Sequence, residues 1–189
     1  MSATYRIAVV IGSLRKASHT RKVALAMKSL APPELALEVV EIADLPLYNE
    51  DLDGEGKTPP EAWTRFRDAI RGADGVLFFT PEYNRSVPGV LKNAIDVGSR
   101  PGGKSAWLHK PGGVVSVSPY ALGGFGANQA VRQAMVFLDV PMMQMPEAYI
   151  SNAGKLFGDN GGLVSEDTKK FFTAFMTAYA AWVATFVKK

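Results

Sequence analysis

The stretch RIAVVIGSLRKASHT, residues 6–20, joins a run of aliphatic residues to a polar loop through a single glycine. The continuous apolar run Arg6–Ile11 is typical of a strand that is buried on both faces, as in a parallel sheet covered by helices. A loop between the carboxyl end of such a strand and a helix presents free N–H groups to an anion, and the helix dipole adds to the attraction. These residues therefore predict an α/β protein with an anionic ligand at that sheet edge.

The rest of the chain repeats this alternation of apolar strands and helical segments, with no linker rich in Pro, Gly or Ser. Five βα units in this order predict a doubly wound parallel sheet, either flavodoxin-like or Rossmann-like, within one domain spanning residues 1–189. The other strands are predicted at Leu37–Ile42, Gly75–Thr80, Gly113–Val117 and Met142–Ile150, and the helices are predicted to begin near Ser18, Pro60, Pro88, Phe125 and Phe171.

Composition excludes several kinds of chemistry. The 189 residues include no cysteine, so a disulfide, a thiolate metal site and a catalytic thiol are all excluded, and any redox work needs a bound cofactor. The two histidines show no metal-binding spacing, which predicts no metal. The net charge of +3 is spread too evenly for nucleic acid binding. The apolar run 171–187 sorts into one helical stripe, which predicts a core helix, no membrane span and a cytoplasmic protein.

The loop after the first strand has the side chains for a terminal phosphate. Ser13, Ser18 and Thr20 supply hydroxyls, and Arg15 supplies a fork of N–H donors. The loop lacks the three glycines of the dinucleotide fingerprint and the G-x-x-x-x-G-K-[ST] pattern of nucleoside triphosphate sites. It favours a phosphomonoester such as that of flavin mononucleotide (FMN). The alternative is that Ser18 only caps a helix.

Two further polar loops follow the third and fourth strands, at residues 80–89 and 116–126. In the first, two prolines frame a polar turn whose backbone amides suit the polar edge of a flat heterocycle. Tyr83 and Asn84 offer stacking and hydrogen bonds, although such a sequence also makes an ordinary turn. Because parallel strands end at one edge of the sheet, we expect the three loops to lie together.

The chain resembles the NADPH-dependent FMN reductases, within them the bacterial quinone and chromate reductase branch. The resemblance rests on GSLRKASHT at 12–20, on PEYNRSVPGVLKNAID at 81–96 followed by Ser99 and Arg100, and on RQAMVFLDV at 132–140. It implies a flavodoxin-like three-layer sandwich with a five-stranded parallel sheet and non-covalent FMN. Carried over by position, the cofactor-binding residues are Ser13, Arg15, Ser18 and Thr20 at the phosphate, with His19 beside them, then Glu82, Tyr83, Asn84 and Arg85 at the isoalloxazine ring, and Ser116 or Ser118 in the third loop.

The resemblance also implies an activity: hydride from NADPH or NADH reduces the flavin, and a small electron acceptor then takes its place, which predicts ping-pong kinetics. Quinones, azo compounds, flavins and metal oxyanions such as chromate are the implied acceptors, and the implied assembly is a homodimer or homotetramer. Arg85 stands where this branch often has Tyr, which favours an anionic acceptor or the phosphate of the nicotinamide cofactor. Arg100 is a weaker candidate for substrate or subunit contact.

Two alternatives predict other behaviour. A flavodoxin-type electron carrier would bind FMN without turning over a small substrate, but such carriers use an acidic docking surface and this chain is basic, with a net charge of +3. A nucleotide-binding sensor without redox chemistry would be colourless.

Overall fold

The computed structural model describes residues 4–188, and its strands form a single parallel sheet in the order β2-β1-β3-β4-β5. That order is the flavodoxin-like one, so the structure decides between the two topologies that the sequence allowed. The strands are β1 Tyr5–Ile11, β2 Leu35–Val40, β3 Gly75–Thr80, β4 Gly112–Val117 and β5 Ala148–Ile150; the α-helices are α1 His19–Ser29, α2 Glu61–Arg71, α3 Gly89–Gly98, α4 Phe125–Phe137 and α5 Glu166–Phe186.

Alternate residues of the central strands enter two separate cores, because successive side chains of a strand point to opposite faces. In β1, Val9 packs with the helices α1 and α5, whereas Val10 packs with α2, α3 and α4. Every residue of β3 and β4 is buried. The parallel sheet covered on both faces, which the continuous apolar runs predicted, and the three-layer sandwich implied by the resemblance are thus confirmed.

The predicted element bounds were wrong by two residues or more in three elements. The strand predicted over Met142–Ile150 is confined to Ala148–Ile150, since Met142 makes only an isolated bridge to Gly112 and Pro146 has no N–H for a ladder. Strand β2 begins and ends two residues earlier than its apolar pattern suggested. Helix α5 begins at Glu166 rather than near Phe171, since Ser165 caps it by accepting from the Thr168 N–H at 3.3 Å.

The connection between β2 and α2 leaves the sheet at the same edge as the three polar loops and then crosses the α2–α3 layer, where buried polar contacts fix it. Asn93 of α3 accepts from the Tyr48 N–H at 2.8 Å and donates to the Leu45 and Pro46 carbonyls at 3.2 and 3.0 Å. Further along the same connection, Asp53 forms a buried two-point ion pair with Arg67 of α2. Each contact joins the connection to a helix of the layer beneath it, so this segment is part of the rigid frame.

Across residues 4–188, no helix has both the length and the apolar character that a bilayer crossing requires.

Candidate active site

Three loops meet at the carboxyl edge of the sheet: loop A (residues 12–18), loop B (residues 81–88) and loop C (residues 118–124). They follow β1, β3 and β4, which are neighbours in the sheet. Loop A is tied to the end of β3 by a hydrogen bond of 2.8 Å from the Gly12 N–H to the Phe79 carbonyl. The convergence predicted from the sequence is therefore observed.

Loop A ends in a capped helix with unused hydrogen-bonding groups around its start. The Ser18 hydroxyl accepts from the Arg21 N–H at 3.1 Å, so Ser18 is the N-cap of α1. Ser13 and Thr20 are 9% and 2% exposed, yet within residues 4–188 their hydroxyls have no hydrogen-bond partner. Among the described residues no buried side-chain nitrogen or oxygen lacks a partner, so these two hydroxyls must reach the surface, where they are free to bind a ligand at the start of α1.

The remaining loop A candidates lie on the accessible side of the same helix start. Arg15 is exposed, and none of the described residues pairs with its guanidinium. His19 is the first residue of α1 and is half-buried. The helix start, the two hydroxyls and the Arg15 charge together make a concentration of donors without an acceptor, which is the arrangement an anion requires.

Loop B is built around a tight turn. The Tyr83 N–H donates to the Ser86 carbonyl at 3.1 Å, and the Ser86 N–H donates back to the Tyr83 carbonyl at 3.0 Å. Between them Asn84 and Arg85 both have positive φ, at 51° and 65°. Two such residues closed by reciprocal bonds make a type I′ turn. Asn tolerates this conformation, but Arg is strained in it by about 1 kcal/mol or more.

Glu82 joins loop B to the start of α4. The N-cap of α4 is Gly124, which has no side chain to accept from the first-turn N–H groups. The Glu82 carboxylate takes that place: its Oε2 accepts from the Ala127 N–H at 3.2 Å, and its Oε1 accepts from Arg85 Nη1 at 2.9 Å. A carboxylate at a helix N-terminus is stabilised by the dipole, so the side chain of Glu82 serves the structure.

The approach of α4 to loop B is close enough to require glycine. A Cβ added at Gly126 would lie 2.5 Å from the Arg85 carbonyl oxygen and 2.9 Å from Glu82 Oε2. The backbone of loop B therefore rests directly on the first turn of α4, and loops B and C form the two walls of one cleft. The cleft has a volume of about 440 Å³ and is lined by Glu82, Asn84, Arg85, Ser118, Tyr120, Ala121 and Leu122.

The two serines proposed for the third loop have different surroundings. Ser118 lines the cleft, whereas Ser116 is fully buried within β4. The Ser116 hydroxyl accepts from Asn128 Nδ2 at 3.3 Å and lies 3.4 Å from the Ala148 carbonyl, to which it donates. Ser116 is thus occupied inside the protein, because it lies within β4 beneath helix α4, whereas Ser118 lies just beyond the end of the strand. Asn128, which sequence reasoning missed, is the partner that keeps it there.

Arg100 lies away from these loops. It follows the C-terminal end of α3, whereas loop B precedes the N-terminal end, and a helix of this length separates the two by about 15 Å. Its charge instead acts on Tyr48 of the β2–α2 connection: burial raises the pKa of the Tyr48 hydroxyl, the Asp53 and Glu50 carboxylates raise it further, and the Arg100 guanidinium opposes them. Arg100 therefore lies beside the β2–α2 connection and does not line the cleft.

Asn93 is a second residue that sequence reasoning missed. It lies among buried apolar residues of α3, between Leu91 and Ile95, and is 7% exposed. A polar side chain on the apolar stripe of a helix was the available signal.

The described residues, 4–188, contain no group of three His, Asp or Glu side chains placed to hold a metal ion.

Known proteins are similar to this chain over a range that includes all five strands and the three loops. The model of the NADPH-dependent FMN reductase family matches residues 5–155, which include all three loops. A quinone reductase of Pseudomonas putida is 64% identical over 183 residues, 97% of each chain. A 2-hydroxy-1,4-benzoquinone reductase of a Burkholderia species is 46% identical over 178 residues, 94% of this chain and 96% of that protein.

A solved structure agrees with these sequence matches. FerB, a flavoenzyme NAD(P)H:(acceptor) oxidoreductase from Paracoccus denitrificans, superposes with a TM-score of 0.89 at 38% identity and covers 97% of this chain and 99% of its own. The family model spans well over half of the chain, and the relatives match it over nearly its whole length. The chain therefore belongs to the NADPH-dependent FMN reductase family.

Proposed function

We propose that this protein is an FMN-dependent NAD(P)H:quinone oxidoreductase. The observation that carries the proposal is the group of free donors at the start of α1: the hydroxyls of Ser13 and Thr20, which have no partner among residues 4–188, and the unpaired guanidinium of Arg15. Family membership supplies the cofactor class, and the quinone reductases among the relatives supply the acceptor class.

Loop A fits the phosphate of FMN. Its free donors are the Ser13 and Thr20 hydroxyls, the Arg15 guanidinium and the first N–H groups of α1 beside His19. Ser18 accepts from the Arg21 N–H through an oxygen lone pair, and its hydroxyl proton remains available to a phosphate oxygen. We assign the phosphate to these residues, because a phosphomonoester has three oxygens that accept strong hydrogen bonds.

Loops B and C fit the isoalloxazine ring. The tight turn of loop B uses the N–H groups of Tyr83 and Ser86 internally, and among residues 4–188 the N–H groups of Asn84 and Arg85 have no acceptor. Rigid, unpaired amides suit the polar edge of a flat heterocycle. Ser118 adds a hydroxyl on the facing wall. We therefore assign the ring to residues 82–85 and Ser118, with Ser116 removed from the set.

FMN, when bound there, supplies the hydride-accepting and electron-donating chemistry that the side chains of this protein lack. The residues of the chain would bind and orient the ring, and the part of the open cleft that the ring leaves free would admit one flat substrate at a time. Donor and acceptor would therefore use the same space in turn. This sharing supports the expectation of ping-pong kinetics.

The proposal extends to four finer points. We propose azo compounds, flavins and oxyanions such as chromate as further acceptors, since an open cleft selects weakly by shape. Residues 1–189 would form one FMN-binding domain. The cytoplasm is the expected compartment, because NAD(P)H is supplied there. We propose a homodimer or homotetramer, because a second copy could cover apolar side chains that are largely exposed in a single copy: Val136 at 73%, Phe137 at 84% and Met145 at 71%.

Two measurements on the purified protein test the proposal. The absorption spectrum should contain a flavin band, either as purified or after added FMN, and its absence would contradict the cofactor assignment. NADPH or NADH should then be oxidised in the steady state with a soluble quinone. A flavin band without oxidation of NADPH or NADH would instead indicate an electron carrier. A colourless protein that does not bind added FMN would indicate a nucleotide-binding sensor.

A further inference from the structure

The cleft between loops B and C has an uneven distribution of charge. Glu82 and Arg85 are the two ionisable side chains that carry charge at neutral pH among its lining residues. The Glu82 side chain is 12% exposed, and both of its oxygens are engaged by the α4 N-terminus and by Arg85. The Arg85 side chain is 71% exposed. The accessible charge in the cleft is therefore positive.

Arg85 keeps most of its hydrogen-bonding capacity. Only Nη1 is used, in the 2.9 Å contact with Glu82, and no described residue accepts from Nε or Nη2. Because Nη1 is bonded to Glu82, the guanidinium has fewer accessible orientations than that of an unpaired arginine, and its Nε and Nη2 remain free to donate. It can offer a two-point hydrogen bond to an ionised oxygen in the cleft.

The backbone at Arg85 gives a second, independent reason to assign it a function. Its φ of 65° lies in the left-handed region, which Gly, Asn or Asp adopts at lower cost. A long cationic side chain at such a position is strained, and strain of this kind concentrates at binding sites. The tight turn also fixes the direction in which the side chain leaves the backbone.

The walls of the cleft suit a flat aromatic molecule. Tyr120 and Leu122 on loop C are 77% and 59% exposed. An aromatic or aliphatic surface beside a guanidinium favours a planar ring that carries a negative charge. The 2′-phosphate of NADPH is separated from the nicotinamide by two riboses and a pyrophosphate, so a charge within this small cleft is better placed for a compact acceptor.

We propose that Arg85 makes the enzyme selective for anionic quinones, that is, quinones with an ionised ring oxygen. The inference rests on the proposed quinone reductase function and names its substrate class. In the reaction NAD(P)H gives up a hydride, which is two electrons and one proton, and water supplies a second proton. The two quinone carbonyls become hydroxyls, NAD(P)⁺ is released, and the ionised oxygen bound by Arg85 takes no part in the electron transfer.

The kinetic test compares two acceptors of nearly the same shape: the hydroxynaphthoquinone lawsone, ionised at neutral pH, and its neutral methyl ether. After correction for the different reduction potentials of the two acceptors, the wild-type enzyme should have the higher kcat/KM for the anion. In Arg85→Gln the ratio of the two kcat/KM values should fall about tenfold, and Arg85→Lys should restore part of it. The ratio is taken within each variant, so a general loss of cofactor or activity cancels. An unchanged ratio in Arg85→Gln would overturn the proposal.

A double variant separates attraction from repulsion. Removing Arg85 alone uncovers the Glu82 carboxylate, which by itself would repel an anion. In Glu82→Gln/Arg85→Gln no charge remains at either residue, and the glutamine oxygen can still accept from the Ala127 N–H. The preference should stay lost in this variant. Its return would show that the uncovered carboxylate, and not the missing guanidinium, had caused the change.

A binding measurement tests the inference without turnover. Calorimetric titration of the oxidised holoenzyme with naphthoate and with neutral naphthamide should show tighter binding of the anion, and Arg85→Gln should remove the difference. Equal affinities in the wild-type enzyme would contradict the role of Arg85. If no quinone is reduced at all, the proposed function fails, whereas the naphthoate difference still decides whether Arg85 is an anion receptor. A change in the NADPH to NADH preference, with the quinone ratio unchanged, would assign Arg85 to the donor instead.

Discussion

Replacing Arg15 by alanine tests the proposed phosphate contact alone, because the Arg15 side chain makes no hydrogen bond or ion pair within the described structure. The side chain is exposed and pairs with none of residues 4–188, so Arg15→Ala should change the free energy of unfolding of the apoprotein by less than about 0.5 kcal/mol. A charge-assisted hydrogen bond contributes about 1.5–3 kcal/mol. The dissociation constant for FMN should therefore rise by about 10- to 150-fold.

The assay is quenching of flavin fluorescence on titration with apoprotein. Riboflavin, which lacks the phosphate, is the ligand control, and its affinity should be the same in the wild-type protein and in Arg15→Ala. Lys16→Ala is the matched variant, since Lys16 is the neighbouring exposed cation. A change below about threefold for FMN, or an equal loss for riboflavin, would refute the assignment of Arg15 to the phosphate. An equal loss in Lys16→Ala would show that only general charge matters.

Three further variants test the frame of the site. Tyr179→Phe removes a buried hydroxyl that donates to two carbonyls at the start of the sheet, and should lower the unfolding free energy by about 1–2 kcal/mol in urea. Because burial raises the pKa of Tyr179 well above 10.0, its stabilising contribution is complete below about pH 10 and is lost as pH rises further, so the variant should show a shallower alkaline decline than the wild-type protein. Gly126→Ala should lower both the melting temperature and the FMN affinity, because its Cβ would lie 2.5 Å from the Arg85 carbonyl oxygen; a gain, as at an ordinary helix glycine, would contradict that contact. Asp53→Ala leaves Arg67 buried without its partner and should destabilise by about 3–5 kcal/mol, while Asp53→Ala/Arg67→Met should recover part of the loss in the same denaturation assay.

The sequence by itself predicted the elements whose signals are local. Continuous apolar runs predicted the buried strands β1, β3 and β4, and Ser18 predicted the start of α1. The signal failed where the pattern was mixed: the apolar residues at 142–147 lie outside the ladder, and α5 begins with polar residues. Grouping three loops at one sheet edge also needed no coordinates, because parallel strands share a carboxyl edge.

Only the tertiary structure decided the strand order and the partners of the polar groups. Ser116 and Ser118 are two residues apart and look equivalent in sequence, yet one bonds to Asn128 in the core and the other lines the cleft. Glu82 and the N–H group it accepts from at Ala127 are 45 residues apart, and no local pattern links them. Sequence periodicity tells which residues are buried, because it reports the environment of one segment. Which distant groups satisfy one another depends on how the helices pack on the sheet, and that packing also determines the accessible charge in the cleft.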